Sequence, residues 1–140
     1  MSGEAPRRQV VITGAAKRVG RATALALAES GCDLLLTYRS SDEAIAATAA
    51  EACTRAARAG HRITVRSVRG DLSTAEAIAA LAAELRAACG SRLFGLVHNA
   101  SSYAPSPFGA ITAAEALGHL TVNALAPLLL TQALAAPLRS

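Results

Sequence analysis

Residues 9–20 of the chain read QVVITGAAKRVG. The apolar, mostly β-branched part of this stretch stops at Gly14, which predicts a short buried strand followed by a turn. Good helix formers occupy residues 18–30, so the turn joins a strand directly to a helix. A turn of this kind presents backbone N–H groups and a helix N-terminus to a pyrophosphate. We therefore predict a nucleotide-binding loop at residues 13–20, the alternative being an ordinary strand–helix connection.

Strands and helices are predicted to alternate along the rest of the chain. Strands are expected at 9–13, 33–38, 62–68 and 93–98, and a helix follows each of them. Three pairs with capping-box spacing predict where later helices begin: Ser40 with Glu43, Ser73 with Glu76, and Thr112 with Glu115. The short connections predict an α/β fold, a Rossmann-type doubly wound parallel sheet of which four strands and their flanking helices are present. Residues 1–140 are expected to be the N-terminal part of one such domain, truncated, with 1–8 as a flexible tail.

Composition excludes several classes of function. Fourteen basic residues against ten acidic ones give a net charge of +4, but they are spread without a basic block, so nucleic acid is not an expected partner. The longest apolar runs, such as 124–130, fall well short of the roughly 20 residues of a membrane-spanning helix, so no membrane partner is expected. No signal-peptide core follows the N-terminus, and a cytoplasmic location is predicted.

Cysteine and histidine positions argue against disulfide and metal chemistry. The three cysteines, Cys32, Cys53 and Cys89, are far apart and lack C-x-x-C spacing, so we expect buried, reduced thiols. The three histidines cannot assemble a ligand cluster, and no metal is predicted. His98 is expected to be a hydrogen-bonded strand residue rather than a catalytic base.

The loop has residues suited to a phosphate-bearing ligand. Gly14 permits the tight turn, Gly20 allows close packing, and Lys17 and Arg18 add positive charge. The stretch resembles the cofactor loop T-G-x-x-x-G-x-G of the short-chain dehydrogenase/reductase family. Arg18 stands where the middle glycine is usual, a departure similar to the pteridine reductase branch with its T-G-x-x-x-R-x-G form. The resemblance implies that Val19 also lines the cofactor.

Three later segments fit the same family at matching intervals, so the resemblance covers nearly the whole chain. They are Asp71-Leu72 after the third strand, the HNASS sequence at 98–102 after the fourth, and Asn123 in the last helix. The resemblance implies that Leu72 and Asp71 line the adenine, with Asp71 accepting a hydrogen bond from its amino group. It also implies a homo-oligomer, specifically a tetramer.

The end of the second strand selects between cofactors. An acidic residue there binds the ribose of NAD, whereas an arginine accepts the 2′-phosphate of NADP. This chain has Tyr38, Arg39 and Ser40 at that place, so NADP(H) is the predicted cofactor. The alternative is that Arg39 is simply a solvated loop residue.

The resemblance also implies roles around the reacting centre. Asn99 and Ala100 would pack on the cofactor ribose, Ser101 would bond both cofactor and substrate, and Tyr103 would stack on a flat pterin ring. Asn123 would be a catalytic residue that holds a water of the proton relay. The alternatives are an ordinary proline-rich loop at 99–107 and a polar residue that bends the helix at 123.

Half of the family's active site is not encoded in these residues. The family uses a Tyr-x-x-x-Lys pair, but the two tyrosines have Asp42 and Pro107 four positions later, and Lys17 is the one lysine. We therefore expect an enzyme when full length, an NADPH-dependent oxidoreductase acting on a carbonyl or pterin-like small molecule, whose 140-residue part is inactive alone. The alternatives are a 3-oxoacyl thioester or ketone reductase of the same family and a non-catalytic nucleotide-binding or interaction protein.

Overall fold

The computed structural model describes residues 7–89 and 93–138. The expected alternation of strands and helices is confirmed over these residues. The elements are β1 Gln9–Ile12, α1 Arg18–Glu29, β2 Asp33–Tyr38, α2 Asp42–Arg58, β3 Val65–Arg69, α3 Ala75–Cys89, β4 Gly95–Val97, α4 Ala113–Leu120, a π-helical turn Thr121–Leu125, α5 Ala126–Ala133 and α6 Ala135–Leu138.

The four strands form one parallel sheet in the order β3-β2-β1-β4. This is a Rossmann-type arrangement, as predicted. The chain builds outward from β1 to β3 and then returns to the other side of β1, so the direction of growth reverses between β1 and β4. Ligands of such sheets bind beyond the carboxyl ends of the strands at this reversal. The predicted phosphate loop leaves β1 at that place.

Helices cover both faces of the sheet, which explains why β2 is apolar on both sides. Leu34 and Leu36 pack with α1 and α2 on one face, while Leu35 packs with α3 and α5 on the other. All three leucines are buried. Alternate residues of a strand point to opposite faces, so a strand between two helical layers has apolar side chains on both of its faces.

Two of the three predicted capping boxes are wrong. Helix α2 begins at Asp42 with Ser41 before it and no side-chain cap, so the Ser40 pair lies too early. Ahead of α3, Thr74 Oγ1 accepts a hydrogen bond from the Ala77 N–H, because the hydroxyl of Ser73 is engaged elsewhere. Thr112 and Glu115 do form the reciprocal capping box at α4.

Two smaller expectations also need correction. Most of the predicted tail lies outside the described residues, but Arg8 accepts a hydrogen bond from the Asp33 N–H at 2.9 Å and donates to the Ser30 carbonyl. Arg8, which was predicted to belong to the tail, is therefore hydrogen-bonded to the fold. Of the cysteines, Cys32 and Cys89 are buried, whereas Cys53 is exposed because it lies on the outer face of α2.

The expectation that no segment could span a membrane is wrong by the simplest criteria. The continuous helical segment Ala113–Ala133 is long and apolar enough, with a mean hydropathy of 1.3. Polar residues interrupt its apolar runs, but Glu115 and His119 are its only ionisable residues, so the length of the runs underestimated the apolar character of the whole segment. Core helices of water-soluble proteins meet the same two criteria, so this is weak support for a membrane location.

Candidate functional site

The phosphate loop is fastened to the strands on both sides of β1. The Thr13 N–H donates to the Val97 carbonyl of β4, and the Ala15 N–H donates to the Thr37 carbonyl of β2, each at 3.0 Å. Gly14 between them has φ +66°, a left-handed conformation that glycine adopts without steric cost. The loop therefore leaves the sheet as a tight turn with its backbone held on both flanks.

Glycine is required at two places because three backbones meet there. A Cβ atom on Gly14 would lie 2.9 Å from the Ala100 Cα. A Cβ atom on Gly20, in the first turn of α1, would overlap the Gly14 carbonyl oxygen and lie 2.5 Å from the Asn99 Nδ2. The start of α1 thus sits directly against the loop and the end of β4. This cradle fits a pyrophosphate group, which needs backbone N–H groups at close approach.

A hydrogen-bond network links the loop to the segment after β4. The Asn99 Nδ2 donates to the carbonyls of Thr13 and Gly14 at 3.1 and 3.0 Å. In return, the buried Thr13 Oγ1 accepts from the N–H groups of Asn99 and Ala100, both at 3.0 Å. Asn99 therefore stabilises the loop directly, a role that adds to its predicted packing on the cofactor ribose.

Thr13 lies in the predicted loop but was given no role of its own, and Thr48 of α2 was not among the predicted site residues. The buried Thr48 hydroxyl shares its hydrogen between the Ala44 carbonyl of α2 at 2.9 Å and the Ala16 carbonyl of the loop at 3.2 Å, so it supports the loop from the side of α2. A threonine among the alanines of a helix was the available sequence signal for this contact.

Three exposed side chains follow the turn, namely Lys17, Arg18 and Val19. Arg18 has φ +52°, a conformation that costs a non-glycine residue about 1–2 kcal/mol. Glycine adopts such a positive φ without steric cost, which explains why glycine is usual at this position of the resembled loop. Neither Lys17 nor Arg18 forms an ion pair with any described residue, so both charges are available to an anionic ligand.

The end of β2 has the predicted basic character. Arg39 and Ser40 are exposed, and the Tyr38 hydroxyl donates to Asp42 Oδ1 at 2.9 Å. This hydrogen bond to a carboxylate, followed by burial, raises the pKa of Tyr38 above its usual value. Tyr38 is therefore a neutral residue joined to the start of α2.

Asp71 organises the loop after β3. Its Oδ2 accepts from the Ser73 hydroxyl at 2.6 Å, and its Oδ1 accepts from the N–H groups of Leu72 and Ser73. The Ser73 hydroxyl contributes most to a lowered pKa for Asp71, with further contributions from these N–H groups and the nearby charge of Arg39. The carboxylate is thus ionised and partly engaged, which leaves its contact with an adenine amino group as a prediction.

Asn123 pairs with the backbone of Ser102, in the loop after β4. The Ser102 N–H donates to Asn123 Oδ1 at 2.8 Å, and Asn123 Nδ2 donates to the Ser102 carbonyl at 2.9 Å. His119, one turn earlier, places its Nδ1 2.6 Å from the Ser102 Oγ. The two helix residues therefore hold Ser102 by all of its polar groups. Sequence reasoning missed Ser102 and His119, although the i, i+4 spacing of two polar residues on an apolar helix was a usable signal.

The other predicted residues of this loop are less constrained. Ser101 and Tyr103 are exposed on either side of Ser102, and Tyr103 retains 87% of its accessible surface.

His98, just past β4, lies with its Nε2 2.8 Å from the Thr131 hydroxyl, and burial lowers its pKa. A neutral, hydrogen-bonded histidine matches its predicted structural role. Within the described ranges, no group of three or more His, Cys, Asp or Glu residues could hold a metal ion.

Comparisons with known proteins place this site in a family. A family model described as short chain dehydrogenase matches residues 8–140. The chain is 33% identical over 147 aligned positions to an L-xylulose reductase from Aspergillus niger, an alignment that covers 96% of this chain and 48% of that protein. It therefore spans about half the length of the curated relatives it matches.

Solved structures agree with this assignment. A metagenomic short-chain oxidoreductase in complex with NADP superposes with a TM-score of 0.75 at 34% identity, covering 91% of this chain and 55% of that one. A short-chain dehydrogenase from Sphingobium yanoikuyae in complex with NADPH superposes with a TM-score of 0.77 at 28% identity, covering 91% and 47%. Because the family model matches residues 8–140, almost the whole of this chain, the chain belongs to the short chain dehydrogenase family.

Proposed function

We propose that this chain is the cofactor-binding part of an NADPH-dependent oxidoreductase that transfers hydride to a carbonyl or pterin-like substrate. The observation that carries the proposal is the glycine cradle at Gly14 and Gly20, with the free charges of Lys17 and Arg18 beside it. Arg39 at the end of β2 supports the choice of NADPH, because an acidic residue there would repel a 2′-phosphate. The relatives crystallised with NADP and NADPH support the same cofactor.

Each predicted residue would act on a different part of the cofactor. The loop backbone through Val19 would hold the pyrophosphate, and Tyr38, Arg39 and Ser40 would surround the 2′-phosphate. Asp71 and Leu72 would line the adenine, and Asn99, Ala100 and Ser101 would lie along the ribose and nicotinamide. When bound, NADPH supplies the hydride.

Binding of the two cofactors tests this proposal directly. We expect the chain to bind NADPH more tightly than NADH by at least tenfold, since a charge-assisted contact to the 2′-phosphate contributes about 1.5–3 kcal/mol. Arg39→Asp should reverse the preference. Equal dissociation constants for the two cofactors in the unmutated protein would overturn the NADPH assignment.

Turnover would need groups beyond those in this sequence. The family's Tyr-x-x-x-Lys pair would lower the tyrosine pKa so that the hydroxyl can give a proton to the substrate as hydride arrives. We propose that this pair belongs to the longer protein and that residues 1–140 alone oxidise no NADPH. Measurable turnover by a purified preparation of these residues would show that another acid serves, whereas a longer protein without the pair would favour the non-catalytic alternative.

The pterin is the finer part of the proposal, and a ketone is the second candidate. Stacking on Tyr103 would contribute about 1–3 kcal/mol to binding of a flat ring, as it does for nucleobases, and would contribute nothing for an acyl thioester. The similarity to an L-xylulose reductase favours a ketone instead. Initial rates of the full-length enzyme with a dihydropterin, an acetoacetyl thioester and a keto sugar decide between them. A Tyr103→Ala variant with unchanged pterin KM would remove the pterin candidate.

Assembly and location complete the proposal. The exposed face of α4 and α5, which includes Leu117, Leu120 and Leu128, suits burial in a homo-oligomer, and the family resemblance points to a tetramer. The cytoplasmic location stays a prediction. Light scattering on the full-length protein measures the assembly. A monomer at micromolar concentration would contradict it.

A further inference from the structure

Arg69 lies at the carboxyl edge of the sheet beside the predicted cofactor-selecting residues. It is the last residue of β3 and pairs in register with Tyr38, the last residue of β2. The Gly70 N–H then donates to the Tyr38 carbonyl at 2.9 Å, so the two strands stay paired to their ends. Arg69 is thereby placed one strand away from the residues expected to meet the 2′-phosphate.

The side chain of Arg69 points to the same face as Tyr38, because partners in parallel strands share a face. Tyr38 packs against the core formed with α1 and α2, so this is the face on which α2 begins. The Arg69 Nε donates to the Arg39 carbonyl at 3.0 Å. The guanidinium of Arg69 therefore lies across the Tyr38–Arg39 segment, and its charge acts on the Tyr38 hydroxyl.

Arg69 lacks the acidic partner that other arginines of this surface have. Arg21 and Arg55 both pair with Glu51, and Arg55 also pairs with Glu29. In the described part of the chain, no carboxylate lies within 4 Å of the Arg69 guanidinium, and no hydrogen bond engages its two terminal nitrogens. Asp42, at the start of α2, accepts instead from the Tyr38 hydroxyl.

We propose that Arg69 is a second 2′-phosphate-binding residue and thus a specificity-determining residue for NADPH. The inference rests on the proposed function. A phosphate monoester carries close to two negative charges and three acceptor oxygens, more than one guanidinium can neutralise. Arg39 also lies near the ionised Asp71, and the negative charge of this carboxylate partly offsets the positive charge of Arg39. Arg69, with Nε anchored on Arg39 and both terminal nitrogens free, supplies the second fork of donors at the same place.

The same strand provides a matched control. Arg66 is exposed like Arg69 but lies three positions earlier and therefore on the opposite face, where its Nη1 donates to the Ala88 carbonyl at the end of α3. Arg66→Gln and Arg69→Gln remove the same charge from the same strand. A difference between the two variants thus reports the position of the charge and not the net charge of the protein.

Dissociation constants of NADPH and NADH, measured by titration calorimetry for the chain and both variants, test the inference. We expect Arg69→Gln to raise the Kd of NADPH about tenfold and to leave that of NADH within twofold, because a charged hydrogen bond is lost only with the phosphorylated ribose. Arg66→Gln should leave both within twofold. Arg69→Lys, which keeps the charge but loses the fork, should fall between the unmutated chain and Arg69→Gln.

Three outcomes carry separate meanings. Equal weakening of NADPH and NADH by Arg69→Gln would overturn the inference and assign Arg69 a purely structural role in holding Arg39. An unchanged NADPH affinity would overturn it as well. If the unmutated chain shows no preference for NADPH and Arg39→Asp does not change its cofactor preference, the proposed function itself is wrong. This result differs from a failure of the Arg69 inference alone, in which the unmutated chain still prefers NADPH.

Discussion

The two ends of the candidate site, one around the cofactor loop and one in the segment after β4, are built in different ways. Around the loop, Thr13, Gly14, Gly20 and Asn99 interlock through backbone contacts and buried hydrogen bonds. Beyond Ser102, the segment 103–111 exposes large apolar side chains to solvent, among them Tyr103, Phe108 and Ile111. Both ends lie past the carboxyl edge of the same sheet, yet only the first is held together by close backbone contacts and buried hydrogen bonds.

This difference separates the pyrophosphate-binding groups, which these residues bring together, from the substrate-facing side chains, which are largely exposed. A pyrophosphate is recognised by backbone groups, which β1, α1 and the end of β4 bring together within these residues. A substrate is recognised by side chains, and here those are tied to the fold at Ser102, through Asn123 and His119, and at Ser106, whose hydroxyl donates to Glu115. We therefore expect substitutions at the cofactor end to cost stability and those at the exposed end to cost little.

The largest effect is expected at Gly20. A methyl group there meets the Gly14 carbonyl and the Asn99 side chain, so Gly20→Ala should lower the free energy of unfolding by about 3 kcal/mol. Gly118 in α4 has open space around its Cα, and Gly118→Ala should raise it by about 0.5–1 kcal/mol through helix propensity alone. Urea denaturation of both variants measures the contrast. Similar values for the two would show that the cradle can relax.

A smaller effect is expected at Thr13. Thr13→Val keeps the shape but removes the oxygen that accepts from two backbone N–H groups, which should cost about 2 kcal/mol. The exposed Thr54 of α2 bonds only its own helix, so Thr54→Val should change stability by less than about 0.5 kcal/mol. Thermal unfolding compares the two. If Thr13→Val is as mild as its control, water replaces the lost acceptor.

Acid should weaken the cofactor end through Asp71. Its pKa is lower in the folded protein than in the unfolded chain, so the unfolded state binds more protons at low pH. The stabilisation is complete above the unfolded value of about 3.9 and is lost as pH falls through the lower folded value. Asp71→Asn should therefore flatten stability between pH 5 and 2.5, while Glu76→Gln, on exposed α3 surface, serves as the control. Parallel curves for unmutated chain and Asp71→Asn would contradict this account.

The smallest effect is expected at Tyr103. Because most of its surface is exposed, Tyr103→Ala should change the free energy of unfolding by less than about 0.5 kcal/mol and leave NADPH affinity unaltered. Phe108→Ala, equally exposed in the same segment, is the companion variant. A loss of NADPH affinity in Tyr103→Ala alone would show that this end also contacts the cofactor, and would weaken the contrast between the two ends.

Local patterns were reliable where a residue's partners are its neighbours in sequence. The run before Gly14 predicted β1, and the Thr112 and Glu115 pair predicted the start of α4, since strand period and capping act within a few residues. The same rule was wrong at Ser73, because the Asp71 carboxylate binds its hydroxyl and leaves Thr74 to cap α3. Two acceptable caps one residue apart differ by too little for sequence alone to choose.

The sequence by itself determined the alternation of parallel strands and helices, the turn at Gly14 and the basic end of β2, all of which depend on residue type and short spacing. Only the tertiary structure decided that Asn99 donates to the loop 85 positions earlier, that Ser102 lies between His119 and Asn123, and that Arg69 rests on Arg39. These contacts depend on strand register and on how each helix is rotated over the sheet. Both are set by packing of the two apolar cores, which no local period of the sequence encodes.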